Sequence, residues 1–219
     1  LYYQAKTDHY SHYLWKTDGK KVIQVSKGPL FFNGGISLGN KLILSGKDPN
    51  ANKGTEPWVT DGTPAGTRML RDIGPGHESG CFYYPVLLND RIYFSSGTSS
   101  GSGQELWVTD GTPAGTQMVR DLWPGSSGSR PKHLLAVGSR RVFFAGLGQN
   151  LCVSDGTRAG TRMIQDLWPS SSSSEVAFLC HSQGRIFFAG NDGKLGKELY
   201  QARIGASAQA FGAPNPPGL

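Results

Sequence analysis

Charge is scarce in this chain. Only 17% of the 219 residues are charged, and the 22 Lys and Arg against 16 Asp and Glu are scattered singly or in pairs such as Lys20-Lys21 and Arg140-Arg141. The resulting +6 reads as a solvated surface. A nucleic-acid partner, which needs clustered cations, is not expected. No apolar stretch approaches the roughly 18 residues of a membrane helix, so no membrane span is expected. Cysteine is nearly absent. Cys81, Cys152 and Cys180 are odd in number, irregular in spacing and without a CxxC pair, which argues against zinc and leaves at most one internal disulfide. The five histidines, His9, His12, His77, His133 and His181, show no metal-ligand spacing beyond one pair three apart. A Gly-x-Ser-x-Gly nucleophile turn, a phosphate-binding loop and a Rossmann fingerprint are all missing. No catalytic residue, metal or cofactor is assigned.

What abounds is turn chemistry. The 31 glycines and 13 prolines fit many short strands joined by tight turns and not a helical protein. One sentence recurs: Trp58-Val-Thr-Asp61-Gly62-Thr-Pro-Ala-Gly-Thr67, then Trp107-Val-Thr-Asp110-Gly111-Thr-Pro-Ala-Gly-Thr116, then Cys152-Val-Ser-Asp155-Gly156-Thr-Arg-Ala-Gly-Thr161. Its anchor positions, Trp15, Trp58, Trp107, Cys152 and Tyr200, are spaced 43, 49, 45 and 48 residues apart. In the unit from Lys132 to Leu167, four strand-like runs of four to seven residues are separated by turn signals: His133–Val137, Arg141–Ala145, Leu151–Ser154 and Thr161–Leu167. The fold class expected is all-β: a β-propeller of four-stranded antiparallel blades with a period of about 46 residues.

Residues 1–204 make up these repeats, and the first and last units are short of one strand each. The count of 18 strands leaves two readings, five imperfectly closed blades or part of a larger ring. Opening at Leu1 inside a repeat, without an initiator Met or a signal peptide, the sequence leads us to expect a trimmed piece of something longer. The Pro/Gly-rich stretch 205–219 reads as a linker towards a further domain. The serine run Ser170 to Ser174 and the stretch Ser95 to Gly103 read as flexible loops.

The repeated residues read first as scaffold. Asp18-Gly19, Asp61-Gly62, Asp110-Gly111 and Asp155-Gly156 are turns in which Gly takes positive φ and the Asp carboxylate accepts bonds from following amides. Calcium is the alternative, but one carboxylate per turn is a poor set for an ion wanting six to eight oxygens. Trp15, Trp58 and Trp107 read as core wedges between blades. Cys152, in the same position, reads as a small buried hydrophobe unless Cys180 lies opposite. Asp72, Asp121 and Asp166 end the fourth strands, one per blade, and form no acid/base pair. Trp123 and Trp168 differ from these: the equivalent of Trp123 in the preceding unit is Gly74, so the fold does not demand an aromatic there. These two read either as lids over a blade edge or as ligand contacts on the rim.

The segments around Glu105-Leu106-Trp107, Asp110-Gly111-Thr112, Gly115-Thr116 and Asp121-Leu122-Trp123-Pro124-Gly125 resemble the bacterial ELWxxDGT repeat family nearly throughout. The other copies depart from it: Pro57 replaces Leu, and Asn150 and Cys152 replace Glu and Trp. The first unit loses the Thr-x-x-Gly-Thr loop, and the last keeps only Glu198-Leu199-Tyr200. The resemblance implies a propeller-like scaffold in a large secreted or surface protein, and it implies no catalytic residues. The function expected is non-catalytic binding of a glycan or an extracellular protein through the loops. Packing with other domains or copies in an extracellular filament or matrix is the alternative. A hydrolase in the propeller channel would need convergent Asp, Glu, Arg or His from different blades, and the sequence shows no such constellation.

Overall fold

The computed structural model describes residues 1–6, 11–28, 30–169, 173–194, 196–204 and 210–211. Among them are nineteen strands and no helix, so no helix is long and apolar enough to cross a membrane. The strands form five antiparallel meanders in chain order. The first sheet holds β1 (Tyr2–Lys6), β2 (His12–Thr17) and β3 (Val22–Gln24), and the second β4 (Phe31–Leu38), β5 (Lys41–Lys47), β6 (Glu56–Thr60) and β7 (Arg68–Met69). The third holds β8 (Tyr83–Leu88), β9 (Arg91–Thr98), β10 (Gly103–Thr109) and β11 (Gln117–Arg120). The fourth holds β12 (Lys132–Val137), β13 (Arg141–Gly146), β14 (Asn150–Ser154) and β15 (Arg162–Gln165). The fifth holds β16 (Ala177–Ser182), β17 (Arg185–Asn191), β18 (Lys197–Arg203) and β19 (Ala210–Phe211).

Along the middle strands successive side chains pack alternately against the sheet before and the sheet after. In β10, Leu106 and Val108 face the fourth sheet, in a cluster with Val142, Phe144 and Cys152. Trp107 points the other way and packs with Ile43, Val59 and Phe94. Four apolar clusters are formed like this, each between consecutive sheets. Middle strands such as β13 and β14 are therefore buried on both faces, which is why one unit is not stable alone.

Three expectations are corrected. The stretch 95–103 is not a loop throughout: β9 runs to Thr98 and β10 starts at Gly103. The fifth sheet does not stop at three strands: Ala210 and Phe211, within the stretch read as a linker, pair with Ala202 and Gln201. The rest of that stretch, 205–209 and 212–219, lies outside the described residues, as do His9 and three of the serines in 170–174. The fourth strands are also shorter than the alternation suggested, ending at Arg120 and Gln165, so Asp121 and Asp166 lie just beyond them. In the third sheet the backbone donors are drawn elsewhere. The amides of Leu122 and Trp123 donate to the Glu105 carboxylate, at 3.2 Å each, and are lost to the ladder.

Candidate functional site

Each Asp-Gly turn is a closed hydrogen-bonded knot. Asp110 Oδ1 accepts from the Thr112 amide at 2.9 Å and from its hydroxyl at 2.6 Å. Thr112 Oγ1 accepts from the Gly115 amide at 3.0 Å, and Thr116 Oγ1 donates to the Thr112 carbonyl at 2.7 Å. Thr109 and Thr116 hydroxyls meet at 2.7 Å. The same set recurs around Asp61 and around Asp155. A Cβ on Gly66, Gly115 or Gly160 would collide with the carboxylate of Asp61, Asp110 or Asp155. Asp18 makes the simpler version, accepting from the Lys20 and Lys21 amides at 2.8 Å. Gly19, Gly62, Gly111 and Gly156 all have φ between 79° and 90°. The bonds to Thr hold the Asp61, Asp110 and Asp155 carboxyls below the usual carboxylate range. In each turn Oδ1 of the Asp accepts two bonds, and among the described residues no group of three or more His, Cys, Asp or Glu could hold a metal.

A second repeated device was not read from the sequence. Glu105 is fully buried, yet its carboxylate accepts from the amides of Leu122, Trp123 and Ser129, the last at 2.7 Å, and from the Ser129 hydroxyl. Glu56 does the same for Ile73, Gly74 and Gly80, at 2.8–3.1 Å. Burial pushes both carboxyls up, against the pull of the amide bonds. Asn150 replaces Glu in the next unit, where Oδ1 accepts from the Ser174 hydroxyl at 2.5 Å. Arginines add ties between sheets: Arg71 donates to the Thr116 carbonyl at 3.0 Å and Arg120 to the Thr161 carbonyl at 2.8 Å. The available signal was the constant offset between each Glu and the connection that follows its sheet.

The Glu105 clamp holds the Trp123 amide, whereas the Trp168 amide donates to Asp166 Oδ1 and to the Ser174 hydroxyl, and the structure separates the two tryptophans. In each meander the second-to-third hairpin and the connection to the next sheet lie at the same end. Trp123, in the connection after β11, faces the β13–β14 hairpin, and Trp168, after β15, faces the β17–β18 hairpin. The first hairpin spans three residues, 147–149, and the second five, 192–196. The longer one reaches Trp168: its ring lies where a Cβ on Gly193 would be, and the residue is half-buried. The shorter one leaves Trp123 54% exposed. Trp168 is thus partly covered by its hairpin, and Trp123 is an open ring.

Trp123 stands at a cleft of about 620 Å³ that Leu122, Arg130, Leu147, Met163 and Asp166 also line. Arg130 Nε donates to the Ser127 carbonyl at 3.2 Å, and Asp166 Oδ1 accepts from the Trp168 amide at 3.0 Å. The lining thus combines an indole face and a thioether with one guanidinium and one carboxylate. It suits a ligand that is apolar on one face and hydrogen-bonding at its edges. Trp15, Trp58 and Trp107 lie elsewhere, on the middle strands: Trp107 is buried, and Trp58 packs on the cluster between the first two sheets. Cys152 is buried, Cys180 is exposed, and all three thiols are free.

Neither a family model nor a curated protein matches the chain. Among solved structures, one described with two prolyl endopeptidases and their inter-domain dynamics is similar at 14% identity and a TM-score of 0.53. The match covers 96% of this chain and 33% of that one. The computationally designed Ika8 protein is similar at 15% identity and a TM-score of 0.48, over 91% of this chain and 54% of that one. The chain therefore spans about half of Ika8 and a third of the endopeptidase. At such identities the likeness concerns the fold alone, an all-β array of five antiparallel sheets.

Proposed function

We propose that the five sheets are consecutive blades of a β-propeller of the ELWxxDGT repeat type, and that the chain is a non-catalytic binding module of an extracellular or cell-surface protein. It takes a glycan or an extracellular protein in the cleft at Trp123. The blade reading is supported by the stacking of sheets in chain order and by the first strands β4, β8, β12 and β16, which lie against their counterparts in neighbouring sheets. Propeller-like proteins also occur among the structural neighbours.

The binding reading is carried by Trp123. Its main chain is pinned by a buried carboxylate while its ring is more than half exposed. A fixed, uncovered aromatic costs little further order when a partner lands on it. A glycan array of the parent beside Trp123→Ala and Trp168→Ala tests this. The expected result is binding by the parent, loss in Trp123→Ala of the glycans held in the cleft at unchanged stability, and their retention in Trp168→Ala. Absence of binding by a folded parent would move the reading to assembly. That second reading has its own support in the exposed apolar residues of the outermost sheets, Leu199 at 56% and Val22 at 61%. Concentration-dependent association in sedimentation would then follow.

A further inference from the structure

The first strand of every complete sheet carries a bulge. Register shifts fall between Asn33 and Gly35 in β4, Tyr83 and Val86 in β8, Lys132 and Leu135 in β12, and Ala177 and Cys180 in β16. At each bulge one residue takes a left-handed conformation: Gly34 (φ 63°), Tyr84 (52°), His133 (53°) and Phe178 (55°). Glycine adopts that conformation without steric cost, and β4 uses it. Three of the four bulges instead carry a bulky ring, where such a backbone is a genuine outlier. Strain of this kind persists where a side chain must be aimed somewhere specific.

The three rings are aimed together. Tyr84 lies 6.3 Å from His133, centroid to centroid, and His133 lies 6.3 Å from Phe178, with planes tilted by 38° and 34°. Tyr83 extends the line, 6.3 Å from Tyr84. The rings therefore run across three sheets on the surface where the first strands converge. They are not core: Tyr84 is 47% and Phe178 78% exposed. The surroundings select the occupant. Apart from histidine the four strands contain one charged residue, Lys132, and no carboxylate, so the surface lacks the cluster of cations that a polyanionic chain needs. The bulges interrupt each open strand edge, which disfavours an added peptide strand. The line itself carries the hydroxyls of Tyr83 and Tyr84 and the imidazole of His133. A partner with apolar faces, hydroxyl edges and no charge fits.

We infer that the line Tyr84–His133–Phe178 is a stacking platform for an extended, uncharged oligosaccharide. The platform is separate from the cleft at Trp123 and does not rest on it.

The test exploits the bulges. His133→Gly, and the triple variant Tyr84→Gly/His133→Gly/Phe178→Gly, remove rings at positions where glycine relieves the backbone. Calorimetric titration uses three neutral hexasaccharides, cellohexaose, chitohexaose and maltohexaose. We expect at least one to bind the parent, His133→Gly to weaken it by about tenfold or more, and the triple variant to abolish it. The urea midpoint of both variants is expected to be no lower than that of the parent, so lost binding is not lost folding. Trp123→Ala is expected to leave this affinity unchanged. The inference is overturned if no hexasaccharide binds, if the triple variant binds like the parent, or if its midpoint falls with its binding. Displacement of the sugar by oligothymidylate, or its loss in Trp123→Ala alone, overturns it as well.

Discussion

Truncating Glu105 gives the most direct measure of what holds one sheet to the next. Glu105→Ala leaves the amides of Leu122, Trp123 and Ser129 without their acceptor, the last buried and the first two partly so. Each buried donor so orphaned costs about 1–3 kcal/mol, and partial entry of water into the space left behind lowers the sum, so about 3–5 kcal/mol is expected. With a urea slope of about 2–3 kcal/mol/M for a chain of this size, the midpoint falls by about 1–2 M. Glu105→Gln keeps one acceptor oxygen but turns an amide group towards donors, and is expected to cost about 1–3 kcal/mol. It also tests the electrostatics. Burial holds the Glu105 carboxyl above its usual value, so its contribution is fully present below the unfolded value of about 4.3 and is lost as pH rises through the folded one. The advantage of the parent over Glu105→Gln therefore narrows with rising pH. Urea unfolding followed by tryptophan fluorescence at a series of pH values reads all three quantities. A cost below about 1 kcal/mol for Glu105→Ala would show that apolar packing alone fixes the connection, and the clamp argument would fail.

Gly115→Ala drives a methyl group into the Asp110 carboxylate and is expected to destabilise by about 1–3 kcal/mol; in an Asp110→Ala background the cost shrinks, as a double-mutant cycle of urea midpoints would show. The bonds from Thr112 hold the Asp110 carboxyl low, so its stabilisation is present above the unfolded value of about 3.9 and is lost as pH falls through the folded one. Acid unfolding of Asp110→Asn is expected to be correspondingly flatter than that of the parent. Among the thiols, Cys180 is exposed and Cys152 buried with its thiol pushed far up by burial, so iodoacetamide is expected to label Cys180 first and Cys152 only on unfolding; mass spectrometry of timed digests reads the order, and early labelling of Cys152 would contradict the packing between the third and fourth sheets.

The period, the four-strand meander and the Asp-Gly knot are legible in the chain because each depends on residues close in sequence. The bonds of the Asp110 turn all fall between Thr109 and Thr116. The buried position of Cys152 is legible for a related reason, since it occupies the anchor position of the repeat. The signal for the aromatic line was present too: Tyr84, His133 and Phe178 are spaced 49 and 45 residues apart, the spacing of the repeat itself. Read as ordinary members of alternating strands, they gave no hint that a bulge aims them together.

Other features belong to the stacking of sheets. Glu105 reaches a connection 17 to 24 residues away, and Arg120 a carbonyl 41 residues away. Whether a tryptophan is partly covered or an open ring depends on the length of a hairpin in the next sheet, which separates Trp168 from Trp123. Local hydrogen bonding is specified by residue type and spacing, so the sequence by itself determined the unit. Contacts between units depend on how two-sided sheets pack against one another, and only the tertiary structure decided which repeated side chains are buried and which stay open.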